Sequence, residues 1–286
     1  MSPNERYVRF AEVLSYTEDI KVSYRGFDTR NGIEVAWHAI DLSGLNDAEQ
    51  EEVARSANSL KDLDSQYIAQ YLSVWVDDEP RRLIIITALL ESLKEFIGKV
   101  RILRWRIVKK WCRQILRGLS YLHTHNPRIV HRNLSCEYIY INGGEGQLKV
   151  GNTWLAAILG DDSDPVSLSE TMTRHSRIIG SPAYNGPEIF EKRALDTKAD
   201  IYSLGICMVE IITRSQPYAE CKGVYSKIAK LKMSGVPPLC LLRISNPLAL
   251  NFIHLCLRND PNERPTADEL KRHPFLEKTT DDDEDD

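Results

Sequence analysis

Apolar residues alternate with polar ones through much of the first ninety positions, and beyond them they recur at spacings of three and four. Residues 13–26 and 33–41 carry the alternation and β-branched content of strands, with Asn31-Gly32 as the hairpin turn between them. Residues 47–63 predict a helix, with Asp47 placed to cap it and Val53, Ala57 and Leu60 on one face. Two more strands are expected at 68–76 and 82–88, separated by the polar turn Asp77-Asp78-Glu79-Pro80. From Ser92 onward the pattern turns helical. Residues 105–125 form a strong amphipathic segment, with Ile107, Trp111, Ile115, Leu119 and Leu122 on one side, and further helices are expected at 198–213 and 247–258. Residues 160–180 are polar and rich in Ser and Thr, which predicts a long surface loop. The pattern is that of a small sheet-rich unit followed by a larger helical one.

Composition narrows the class. The chain has 286 residues, 42% hydrophobic and 27% charged, ordinary values for a folded domain. The longest apolar run, Leu83-Ile84-Ile85-Ile86, is far short of a membrane helix, and residues 1–12 have no apolar signal region, so a non-secreted, cytoplasmic chain is expected. Six scattered cysteines without a Cys-x-x-Cys pair predict neither disulfides nor a zinc site, which suits a reducing compartment. The formal charge of −4 includes six acids at 281–286, so the remainder is net +2. Residues 277–286 are read as a disordered acidic tail, with docking to a basic partner as the sharper alternative. Nucleic-acid binding is not expected, because the basic residues at 101–110 read as solvent edges of helices without interleaved aromatic platforms.

Ordered motifs then point to a family. They are Glu34-Val35-Ala36-Trp37, Leu119-Ser120-Tyr121-Leu122-His123, His131-Arg132-Asn133-Leu134, Gly180-Ser181-Pro182, Gly186-Pro187-Glu188, Asp200-Ile201-Tyr202-Ser203-Leu204-Gly205, Pro217-Tyr218-Ala219-Glu220-Cys221 and Arg264-Pro265. From about Tyr7 to Leu276 the chain resembles a eukaryotic protein kinase domain. Its nearest likeness is to the with-no-lysine (WNK) kinases and their catalytically degraded relatives of the nuclear-receptor-binding-protein type. The resemblance implies an α+β, bilobal kinase fold, with a mostly β N-lobe at 1–90 containing one helix, and a mostly α C-lobe at 91–276.

The same resemblance marks departures at the chemistry. The base position of the catalytic loop holds Asn133, although Arg132 before it is kept. The two metal-ligand positions hold Tyr138 and Asn152, the latter in Asn152-Thr153-Trp154 where Asp-Phe-Gly is expected. A carboxamide is no proton acceptor at neutral pH, and a phenol is a poor ligand for a hard dication. The glycine-rich loop corresponds to Ser15 through Lys21, has no glycine, and places Glu18 and Asp19 where phosphates would approach. His38 stands at the third-strand lysine position, Ser56 at the helix glutamate, and Thr87 in the wall of the nucleotide cleft. Lys21 aligns with the lysine that WNK kinases carry on that loop, and it reads equally as a surviving catalytic cation or as a solvated strand-edge residue. Arg177 replaces the activating serine, leaving Thr173 or Ser176 as candidate phosphorylation sites against a plain polar loop. Glu188, Arg264 and Asp200 match structural anchors of the fold.

The expectation is therefore a pseudokinase: no cofactor, ATP binding weak or absent, no Mg²⁺ site, and action as a scaffold or allosteric regulator on protein partners, including a WNK-type or other kinase. The alternative is an unorthodox serine/threonine kinase that uses Lys21, with Glu137 or a neighbouring carboxylate in place of the lost base.

Overall fold

The computed structural model describes residues 2–17, 21–158, 181–191, 193 and 196–277. The chain divides into two compact units, residues 1–90 and 91–286. The first is a five-stranded antiparallel sheet with strand order β1-β2-β3-β5-β4 and one helix. Its strands are β1 (Tyr7–Thr17), β2 (Lys21–Asp28), β3 (Ile33–Asp41), β4 (Tyr71–Asp78) and β5 (Arg81–Ala88). The expected strand region at 13–26 is divided between two strands, β1 pairing antiparallel with β2 up to Thr17↔Lys21. The β2–β3 hairpin is as the sequence predicts, and Gly32 takes the left-handed conformation (φ 67°) that a side chain would oppose there.

One sheet face buries Tyr7, Val35, Trp37, Ala39, Ile84 and Ile86, with Trp75 edge-on to Trp37 at 5.0 Å. The helix α1 (Asp47–Ser59) starts one residue away from the expected cap. Asn46, not Asp47, is the N-cap: it accepts from Glu49 N–H at 3.0 Å, while the Glu49 carboxylate accepts from Asn46 N–H at 2.8 Å. That reciprocal box satisfies two backbone donors at once, which Asp47 in the first turn could not do. The helix also ends early, tightening at Leu60–Asp62 into a 3-10 turn. Its buried side carries Ala57 and Leu60, as expected, together with Gln50.

The second unit contains β6 (Glu91–Ser92), α2 (Leu93–Lys99), α3 (Trp105–His123), β7 (Ile129–Val130), β8 (Ile139–Asn142), β9 (Gln147–Val150) and β10 (Ala157–Ile158). After these come α4 (Pro187–Phe190), α5 (Lys198–Thr213), α6 (Tyr225–Met233), α7 (Pro247–Cys256) and α8 (Ala267–Leu270). The sequence pattern did not show α2 or α6, because seven and nine residues are too few to establish a helical period. Nearly every residue of α5 is buried, so this helix is the central post of the unit. One short turn of backbone, β8–β9, carries Tyr138 and Asn152 at its two ends.

Candidate functional site

The positions that matter in the first unit lie on the other face of the sheet. Hairpin register sets Ser23 opposite His38 and Lys21 opposite Ile40, so period-two alternation brings Lys21, Ser23 and His38 to one side. Ser23 Oγ lies 2.8 Å from His38 Nδ1, and His38 Nε2 lies 3.0 Å from Thr87 Oγ1. Thr87 donates its hydroxyl to the Ala88 carbonyl at 3.2 Å, so it must accept from His38. The imidazole is thus the Nε2–H tautomer, and Ser23 donates to Nδ1. Burial, and after it the Lys21 charge, hold the His38 imidazole well below its usual pKa. A neutral ring that donates once and accepts once occupies the place of a cation.

Lys21 itself is 5% exposed. The strand-edge, solvated reading is therefore wrong: β1 and β3 flank β2 on both sides, and the Lys21 side chain is buried. Ser56 is half-buried on α1, outside the Ser23–His38–Thr87 chain. Glu18, Thr173, Ser176, Arg177 and the acidic run at 281–286 lie outside the described residues.

In the second unit the catalytic-loop frame is built on Asp200. Its carboxylate, in the first turn of α5, accepts from the backbone N–H groups of His131 and Arg132 at 2.8 and 2.9 Å and from His123 Nε2 at 2.8 Å. Burial alone would raise this carboxyl, but the His123 hydrogen bond and charge outweigh it and hold the pKa below the ordinary value. The bonds fix Arg132 in left-handed backbone, φ 64°, a conformation that a non-glycine residue keeps only when its surroundings demand it. His131 locks the loop to the next strand by donating Nε2–H to the Gly151 carbonyl at 2.8 Å, while its Nδ1 accepts from Asn133 N–H at 3.3 Å. Arg132 Nε donates to the Leu155 carbonyl, so part of its guanidinium is spent on local backbone.

On this frame the reactive positions carry no carboxylate. Asn133 and Ser135 are buried, and Tyr138 is half-buried. Asn152 adopts left-handed backbone (φ 62°, ψ 36°) and opens a 3-10 turn over Thr153–Leu155. The turn thus pivots on Asn152 instead of on the residue two places later, which is how Trp154 is tolerated where a glycine is expected. The indole pays a second role: Trp154 Nε1–H donates to Asn152 Oδ1 at 2.9 Å. An indole can only donate, so it holds the amide oxygen and leaves the NH₂ as the other pole of the side chain. Glu137, the nearest carboxylate to the lost base in sequence, makes an ion pair with Lys94 at 3.3 Å.

The anchors are complete. Arg264 donates bidentately to Glu188 at 2.7 Å for each bond, and its remaining donors reach the carbonyls of Arg258, Lys198 and Asn259. Sequence reasoning did not find Ser23 or the Trp154 indole as partners. The first was findable, because an Asn31-Gly32 hairpin that pairs Asp28 with Ile33 also pairs Ser23 with His38.

The comparisons with known proteins agree with this geometry. The protein kinase domain model matches residues 20–276. A probable serine/threonine-protein kinase WNK5 from Oryza sativa subsp. japonica is 39% identical over 99% of this chain and 84% of its own length. Serine/threonine-protein kinase WNK8 from Arabidopsis thaliana is 35% identical over 96% of this chain, which spans about half, 47%, of that relative. With a five-stranded first unit, a helical second unit and an Asp200-centred loop frame, the chain belongs to the protein kinase domain family and is WNK-like within it.

Proposed function

We propose that this protein is a WNK-like pseudokinase: a kinase-fold module that transfers no phosphate at a useful rate and acts through protein partners as a scaffold or allosteric regulator. The observation that carries the reading is Asn152, a neutral amide at a metal-carboxylate position whose oxygen is oriented by a hydrogen bond from the Trp154 indole. A kinase fold implies ATP with Mg²⁺, and the residues present do not fit that pair. Positions 133, 138 and 152 offer two carboxamides and a phenol where the family has two carboxylates and one carboxamide, and His38 is a neutral ring tied to Ser23 and Thr87. Loss of a general base alone costs about 10²–10⁴ in rate. With both metal positions altered, a deficit of about 10⁵, or about 7 kcal/mol, is expected. The partner class stays with proteins, a WNK-type or other kinase among them. A cytoplasmic setting goes with this reading, since all six cysteines are free.

A thermal-shift titration with ATP, run with and without Mg²⁺, tests the reading. The expected result is no magnesium-dependent rise in melting temperature. A clear rise would sink it.

A second reading, an unorthodox serine/threonine kinase, is favoured by one observation: Lys21 is buried beside His38 on the face where a phosphate-binding cation would sit. It predicts radiolabelled phosphate transfer that disappears in Lys21→Met. Transfer that survives this exchange, or no transfer at all, removes it.

A further inference from the structure

Between Glu95 and Glu137 the sequence contains no acidic residue, and within that stretch α3 carries a run of cations. Arg106, Lys109, Lys110, Arg113 and Arg117 recur at spacings of three and four, which sets them along one side of the helix. The opposite side buries Trp111, Cys112, Ile115, Leu119 and Leu122. Arg106, Lys110 and Arg117 are exposed, and Arg101 and Arg104 extend the charge just before the helix, around Ile102 at 80% exposure.

The expectation that these residues are only solvent edges fails at Lys109, which is 6% exposed. It is covered by the last described part of the chain. Lys109 Nζ donates to the Glu277 carbonyl at 3.2 Å, Arg113 Nε donates to the Leu276 carbonyl at 3.1 Å, and Trp105 packs edge-on against Phe275 at 6.0 Å. The stripe therefore holds the backbone at Leu276 and Glu277, and the six consecutive acids at 281–286 begin four residues later.

Reach and charge both match. Four extended residues span at most about 14 Å and nine about 31 Å. Lys109 lies about 6 Å along the helix axis from Trp105. A segment of charge −6 is thus tethered within reach of these cations. We propose that residues 281–286 dock back onto the basic side of α3, at Arg101–Lys110, as an intramolecular acidic cover. The occupant is this chain's own acidic run, bound chiefly by charge, and the contact weakens as salt shortens the Debye length from about 8 Å at physiological strength to about 3 Å at 1 M. The proposal is independent of whether the protein transfers phosphate.

Zero-length carbodiimide coupling of the full chain tests it. In the monomer fraction, the exposed Lys110 is expected to join a carboxylate within 281–286, and the yield should fall several-fold at 1 M salt. A second measurement uses heparin resin as a polyanionic probe. Exchanging the six acids for their amides should raise the eluting salt concentration, and that rise should vanish in an Arg106→Gln/Lys110→Gln background. A coupling found only between molecules, a coupling confined to other lysines, or an elution rise that persists in the double variant would overturn the proposal.

Discussion

Arg264 shows how a single side chain can be fully committed. Its two bonds to Glu188 and three to backbone carbonyls use every guanidinium face, and the Tyr202 ring lies 5.0 Å from its central carbon. Both partners of the ion pair are almost completely buried. Removing one leaves the other charge stranded without water, so Glu188→Ala should cost about 3–5 kcal/mol, read as a shift of the urea midpoint at unchanged slope. Arg264→Lys should also destabilise, because an ammonium cannot reproduce the forked bond. The reactive positions behave differently. Asn at 133 and 152 has nearly the shape of Asp, so the exchange removes charge and leaves the fold intact. That is why chemistry and architecture could part company at these residues.

At the scale of elements, boundaries follow backbone satisfaction more than hydrophobic period. The start of α1 is set by the Asn46–Glu49 box, and Asn46→Ala should destabilise the protein by about 1 kcal/mol, checked by denaturant unfolding. The Asn152 turn makes the same point, because its path depends on a left-handed residue and an indole bond together. Long amphipathic elements such as α3 and α5 were legible from their period. The short α2 and α6 were not, since a helix of two turns has too few repeats to show a face. Strand pairing was partly legible: the Asn31-Gly32 turn sets the β2–β3 register, whereas the β1–β2 reversal has no glycine or proline to announce it.

Across the whole molecule, two buried histidines link stability to pH. Burial lowers the pKa of both His38 and His131. As pH falls through about 6.5 the unfolded chain takes up protons on these rings while the folded chain does not, so the unfolded state binds more protons and stability drops. Unfolding followed from pH 7 to pH 5 should show this loss, at about 1.4 kcal/mol per ring for each unit of depression. His38→Gln should flatten the slope. Asp200 acts in a lower window: its depressed pKa contributes stability above the ordinary carboxyl value that is lost only in stronger acid. An unchanged melting temperature between pH 7 and pH 5 would show that neither ring is held neutral.

The family, the order of its long elements, the loss of carboxylates at 133 and 152 and the replacement of an amide ligand by a phenol at 138 were determined by the sequence, because these are matters of residue identity and local pattern. Only the tertiary structure decided that Lys21 is buried, that His38 is a neutral link between Ser23 and Thr87, and that the Asn152 oxygen accepts from the Trp154 indole. Asp200 meets His131 across 69 residues and Glu188 meets Arg264 across 76. Motif likeness named those positions, but contact between them exists only once the chain has closed those long loops, and it is the closed geometry that sets which atoms remain to bind anything else.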